Sequence, residues 1–371
     1  MNLTVSRDNL YKSLQKIINV IPSKTTIDIL YNVLLKIEEN MLKLIATDLE
    51  ITQIAWCECE VIESGSVVLP GKLLADILRE MPDTKLNLKS EKDSKIILDS
   101  SFGEYKIAGQ DVNDFPNVPS LESEEKLEVG KNILKRMIEK TIFACSTDNL
   151  RPALTGVFCQ IFENQIRMVA TDGHRLVKIG NSEFSSPNLQ REVVIPTRAL
   201  NLVARNLADK GMQTVTLGKN HILFSFDDTL IYTRIIGEPY PDYERVIPVN
   251  NSKELIIKRE LFTASLKRVS LFSNPISYQV KLNFNNNKIN IFAQDIDFGG
   301  EAHETIECKY TAAEMDIAYN ANYLLDTLRH IDTEDVKMSL ESPDGPGLIF
   351  PSDQKSGEEL LMLVMPVRLS S

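Results

Sequence analysis

Apolar positions along the chain follow two rhythms. Stretches such as LKLIATDLEI (42–51) and QTVTLGKNHILFSF (213–226) alternate apolar and polar residues, the period of a strand with one buried face. Others, such as LPGKLLADILREM (69–81), bring leucine and isoleucine back at intervals of three and four, the period of a helix with one apolar stripe.

The two rhythms recur together. LTVSRDNLYKSLQK (3–16), LEVGKNILKRMIEK (127–140) and LIIKRELFTASLKR (255–268) each run from a short strand through a polar turn into an amphipathic helix. LPGKLLADILREM, IPTRALNLVARNL (195–207) and YNANYLLDTLRHI (319–331) supply a second helix per copy. LKLIATDLEI, IRMVATDGHRL (166–176) and INIFAQDIDF (289–298) each close a strand on an aspartate, and Asp48, Asp172 and Asp295 lie 124 and 123 residues apart. So long a period means repeated whole domains, not a solenoid. Pro-rich and polar joints, DFPNVPSLESEE (114–125) and PYPDYERVIPVNNSKE (239–254), separate the copies. The expectation is an α+β chain of three similar domains, 1–124, 125–251 and 252–371. Each repeats a strand-helix-strand-strand-strand unit twice, so that two helices pack on antiparallel sheets and the chain holds six helices.

Composition narrows the class. No apolar run approaches a membrane span and no signal peptide opens the chain, so a cytoplasmic protein is expected, without membrane association. The five cysteines are odd in number and mostly sit in apolar strand-like stretches, as in a reducing compartment. Four scattered histidines give no metal-ligand spacing, and no phosphate-binding glycine loop or nucleophile elbow occurs. Neither a metal nor a cofactor is expected.

One stretch suggests catalysis. Asp172 and His174, beside Thr171, could orient a proton-transfer group and make a hydrolase. The same turn, however, carries Asp48-Leu49-Glu50 and Asp295-Ile296-Asp297 in the other copies, with no shared nucleophile or base. A strand-end aspartate satisfying a turn fits all three, so no catalytic residue is assigned.

Charge is unevenly placed. The net charge of −11 by itself predicts repulsion from nucleic acid, yet cations recur at matching helical positions. These are Lys16, Lys140 and Arg268 in the first helices and Arg79, Arg205 and Arg329 in the second, with Lys72 and Arg198 seven residues before Arg79 and Arg205. That pattern points to a basic surface for a polyanion. Without aromatic ladders or a recognition helix, it predicts phosphate contact and no base readout.

On VATDGHRL (169–176), PYPDYERVIP (239–248), YNANYLLDTL (319–328), DFPN (114–117) and VMPVRL (364–369), the chain resembles the bacterial DNA polymerase III beta subunit family, the sliding clamps, over essentially its whole length. The resemblance implies the DNA clamp fold, a head-to-tail homodimer closing a ring, and no enzymatic activity. Twelve helices spaced about 9 Å apart would enclose a bore a duplex can enter. It implies sequence-independent contact with duplex DNA, with Lys24 added to Lys72, Arg79, Arg198 and Arg205. It implies, too, a pocket for short linear motifs of replicative polymerase, clamp-loader and repair proteins, comprising Leu154, Thr171, Gly173, His174, Arg175, Leu176, Pro241, Arg245, Val246, Asn320, Tyr323, Leu363, Val364, Met365, Pro366, Val367 and Arg368. Leu176, Val246 and Val364 could equally be core. The dimer seam is expected where EYKIAG (104–109) meets VSLFSN (269–274), through Tyr105, Ile107, Leu271 and Phe272, by strand-edge pairing and apolar contact together. The loop STDNLRPALTG (146–156) lacks residues some members use on DNA, and Ser370 and Ser371 extend the usual end. The competing reading is a monomeric peptide-binding scaffold that does not encircle DNA.

Overall fold

The structure, a computed structural model, describes residues 1–368 except 92–94, 123, 188 and 296–298; Leu369, Ser370, Ser371 and, in the third copy, Ile296 and Asp297 lie outside the described residues. Among the described residues, six α-helices form where the apolar periodicity places them: α1 (Arg7–Ile17), α2 (Gly71–Glu80), α3 (Lys131–Thr141), α4 (Thr197–Asn206), α5 (Arg259–Val269) and α6 (Ala321–Arg329). Each buries one stripe, such as Leu10, Leu14 and Ile17 on α1 or Phe262, Leu266 and Val269 on α5. A fully buried side chain of this size contributes about 1.5–3 kcal/mol. The copies agree in atomic detail. The first amide of α1, α3 and α5 donates to the carbonyl of Thr84, Gly211 and Glu334 respectively, 2.9 Å in each case. Asn320 caps α6, its side chain accepting from the Asn322 amide at 2.9 Å.

The chain divides into two compact units, Met1–Lys131 with Arg205–Ile235, and Asn132–Ala204 with Ile236–Ser371. In the first, an eight-stranded antiparallel sheet runs in the order Glu125–Gly130, Met212–Leu217, His221–Ser225, Thr229–Arg234, Ile51–Glu58, Met41–Thr47, Asn32–Glu38, Ser66–Pro70. In the second, the order is Arg191–Pro196, Gly156–Phe162, Gln165–Thr171, Arg175–Asn181, Glu358–Val364, Gly347–Pro351, Asp335–Leu340, Lys253–Lys258. Each large sheet is therefore half of one copy hydrogen-bonded to half of the next. Gln53 lies opposite Ile231 at one joint, and Val177 lies opposite Met362 at the other.

Two smaller sheets remain. One, in the first unit, ends on the strand Gly103–Ala108, and the other, in the second unit, ends on Gly300–Glu307. Phe115, from the first Pro-rich joint, packs with Ile45, Ile54 and Val68, so this joint is anchored in the core of its own unit.

Candidate functional site

The turn after strand Gln165–Thr171 is built by its own side chains. Asp172 Oδ1 accepts the amides of His174 (2.8 Å) and Arg175 (3.0 Å), while Thr171 Oγ1 accepts the Gly173 amide (3.0 Å) and donates to the Arg175 carbonyl (2.6 Å). The first copy repeats all four bonds around Thr47 and Asp48. Position three of the turn needs left-handed backbone, and it is glycine in one case (Gly173, φ 92°) and leucine in the other (Leu49, φ 77°). Asp172 thus serves the turn and Arg175. The His174 imidazole stacks on Tyr323 with centroids 5.8 Å apart, and the bond between Asp172 and His174 runs through the His174 backbone. This geometry holds no acid-base pair.

Arg175, one of the expected pocket residues, has a largely enclosed side chain. Its side chain is 10% exposed, with Nε 3.1 Å from Asp172, Nη1 2.8 Å from Asp326 on α6, and Nη2 2.7 Å from the Phe143 carbonyl. Two rings flank it, Phe143 at 5.2 Å and Tyr323 at 4.9 Å. The C-terminal segment is sewn to the same place: the Met365 amide donates to the His174 carbonyl and the Val367 amide to the Ala318 carbonyl, both at 2.8 Å.

An apolar bed lies beneath. Val169, Leu176, Tyr243, Leu348, Leu361 and Leu363 form a buried cluster on which Phe158, Tyr240, Ile247, Phe350 and Met365 pack partly exposed. Of the expected pocket residues, Leu154, Leu176, Leu363 and Val364 are buried; Val364 is fully enclosed, on the strand face opposite Leu363 and the apolar bed, and so is core. Val246, Pro241, Arg245, His174, Gly173 and Arg368 are exposed, and Thr171, Asn320, Tyr323, Met365, Pro366 and Val367 are half-buried. Phe158, Tyr240, Ile247 and Phe350 were missed. The signal the sequence carries is the alternation that puts Phe158 on one strand face with Gln160 and Phe162; that this face meets Val169 is set by the sheet. Tyr240 stacks on Phe158 at 4.8 Å, and burial pushes its phenol well above the usual range.

The cations differ in exposure and in pairing. Lys140 is a correction to the recurring basic face: only 8% of its side chain is exposed, and it donates to the His330 carbonyl and to Asp332, both at 2.6 Å. Lys16 is paired with Asp228, and Arg268 holds Glu304 at 2.6 Å. Charges already neutralised in this way are poor phosphate ligands. Lys24, Lys72, Arg79, Arg198 and Arg205 are exposed, and Lys72 reaches the Pro22 carbonyl beside Lys24 at 3.4 Å. Arg79 lies 3.0 Å from both Asp76 and Glu80.

At the expected seam, Leu271 is 81% and Phe272 45% exposed, but 269–274 is the end of α5 and a 3₁₀ turn, which cannot pair as a strand edge. The free edge of that region is Gly300–Glu307, with Gly300 beside the Phe272 ring. Tyr105 is exposed on its edge strand, whereas Ile107 is buried within its own unit. Beside Tyr105 lies an apolar groove of about 480 Å³ lined by Ile77, Met81, Pro82 and Phe102, with Asp76 and Glu80 at its rim. No helix among the described residues is long and apolar enough to cross a membrane.

Family models for the DNA polymerase III beta subunit match three successive stretches: the N-terminal domain at residues 1–119, the central domain at 128–242 and the C-terminal domain at 244–368. The chain is 28% identical over 369 residues to the beta sliding clamp of Chlamydia muridarum, covering 100% of this chain and 99% of the relative. It is 29% identical over 372 residues to that of Vibrio cholerae, covering 100% of both. Among solved structures, the sliding clamp of Pseudomonas aeruginosa bound to griselimycin superimposes with a TM-score of 0.92 at 28% identity, covering 100% of both chains.

Proposed function

Because the chain belongs to the DNA polymerase III beta subunit family, we propose that it is a non-enzymatic sliding clamp of the cytoplasm: two copies close head to tail around duplex DNA, and each carries a pocket for partner peptides. The three domains 1–124, 125–251 and 252–371 follow one another round the ring. Polymerase, clamp-loader and repair proteins are the partners, reading the apolar bed through short motifs, and Lys24, Lys72, Arg198 and Arg205 meet phosphates.

The observation that carries this reading is the pair of unfinished sheets. Strand Gly300–Glu307 is the third-copy counterpart of Ile51–Glu58 and Arg175–Asn181, and Gly103–Ala108 is the counterpart of Thr229–Arg234 and Glu358–Val364. Inside the chain such strands are joined twice, and here both edges are left open. Hydrogen-bonding one edge to that of a second copy makes a third joint of the same kind and abolishes both edges. The register of the two existing joints transfers directly. It sets Tyr105 opposite Ala302 of the partner subunit, Lys106 opposite the partner's Glu301 and Glu104 opposite the partner's His303. Leu271 and Phe272 then fill the groove beside Tyr105.

Cysteines at Tyr105 and Ala302 test the register, since cross-strand neighbours lie within reach of a disulfide. Oxidation should give a covalent dimer, and a monomer would remove the seam. Function is tested by retention on nicked circular DNA in high salt. A ring stays until the circle is cut, whereas equal release from circular and linear DNA would leave an ordinary electrostatic binder.

A further inference from the structure

Arg175 lies within a run of five stacked groups: His330, Phe143, the Arg175 guanidinium, Tyr323 and His174. His330 and Phe143 are parallel at 3.8 Å, the guanidinium sits 5.2 Å from Phe143 and 4.9 Å from Tyr323, and Tyr323 lies 5.8 Å from His174. The guanidinium also commits each of its three nitrogens within the fold, to Asp172, to Asp326 and to the Phe143 carbonyl. It therefore ties together the segment that follows α3, the turn and α6. The first copy shows the turn without this tie: its four hydrogen bonds are the same, but Ile51 stands where Arg175 does.

We propose that Arg175 is a positioning residue, with Asp326 and Phe143 as its anchors: it holds the turn 172–175 against α6 so that the pocket is formed before a peptide arrives, and it does not itself touch the peptide. This rests on the pocket reading above. A planar, forked cation reaches three acceptors from three separate nitrogens while it lies between two rings, a geometry that lysine's single ammonium nitrogen does not reproduce. Without the tie, the turn's own bonds open more often and its angle to Tyr323 is no longer fixed, so only a fraction of molecules presents a complete pocket. Apparent affinity falls by that fraction, and the change appears in the association rate. A side chain in contact with the peptide would instead raise the dissociation rate when removed.

The experiment compares wild type with Asp326→Ala and Arg175→Lys in the full chain. Asp326 lies outside the pocket, and alanine is the best helix former at its position. Hydrogen exchange read by mass spectrometry should speed up at least tenfold at 172–176 in both variants and remain unchanged at the 47–51 turn. Unchanged exchange at 172–176 overturns the proposal, whatever any peptide does. Stopped-flow anisotropy with a fluorescein-labelled peptide rich in leucine and phenylalanine should show an association rate lowered about tenfold with dissociation unchanged. Faster dissociation at unchanged association makes Arg175 a ligand contact and overturns positioning. A wild type that does not bind the probe at all overturns the pocket reading, and faster exchange in the variants then still supports the tie that Arg175 makes between the turn and α6.

Discussion

Removing Arg136 should be among the most damaging single changes in the second unit. Its Nε and Nη2 lie 2.5 and 2.7 Å from the two carboxylate oxygens of Glu358, whose side chain is 7% exposed, and Nη1 lies 2.5 Å from Asp332. In Arg136→Met the stem is retained, but Glu358 is left as a buried charge without its partner, which costs about 3–5 kcal/mol. The Asp332 arm adds little, because that carboxylate is 44% exposed and keeps Lys140 at 2.6 Å, and screened pairs of this kind are worth under about 1 kcal/mol. For a folding unit of this size the destabilisation corresponds to a fall in Tm of roughly 6–20 °C. The double variant Arg136→Met with Glu358→Leu removes both charges together, and it should recover most of that stability or exceed wild type. Differential scanning calorimetry of the three proteins decides the matter. A single variant melting within about 2 °C of wild type, or a double variant no better than the single, would refute the reasoning.

Four further outcomes are expected. Burial alone would raise Asp332, but hydrogen bonds from Lys140 and Arg136 outweigh it and bring it to about 2, below the usual aspartate value. Its contribution to stability is therefore complete above the unfolded value of about 3.9 and is lost as pH falls from there through 2, so Asp332→Asn should flatten the acid limb of the melting profile. Gly173→Ala should cost about 1–2 kcal/mol through its left-handed backbone, measured by denaturant unfolding; the new Cβ meets only the flexible end of Arg151, 3.2 Å away, so a larger effect would point to a clash. Lys72→Glu should weaken short-duplex binding more than Arg79→Glu, because Arg79 is already balanced by Asp76 and Glu80; each phosphate no longer neutralised lowers the log-log salt slope by about 0.9, and equal effects would disprove the distinction. Charge at Leu271 and Phe272 should give folded monomers by light scattering, and an unchanged dimer mass would remove them from the seam.

Much of this protein is local and so is readable along the chain. A helix whose Leu10, Leu14 and Ile17 share a face, or a strand that alternates through Ile166, Arg167 and Met168, declares itself within a dozen residues, because the period belongs to the backbone. The Thr-Asp turn is equally local, which is why it reads as a structural device in Asp48 and Asp172 alike. Three copies, six helices and the family resemblance follow from the same short-range information. What each charge does is not readable in this way. Lys140 and Arg198 both sit on amphipathic helices, yet Lys140 is enclosed by Asp332, 192 residues away, and Arg198 is exposed. Helical period fixes the direction of a side chain but says nothing of what another part of the chain lays over it. The same holds for Arg175, drawn inside by Asp326 at a separation of 151 residues, and for Val364, whose neighbour Leu363 faces the other way. The joints between copies belong to this second class as well. A strand's sequence sets which of its faces is apolar, but its neighbour in the sheet is chosen by long-range packing, and only the tertiary structure could pair Gln53 with Ile231 and leave Gly103–Ala108 and Gly300–Glu307 open.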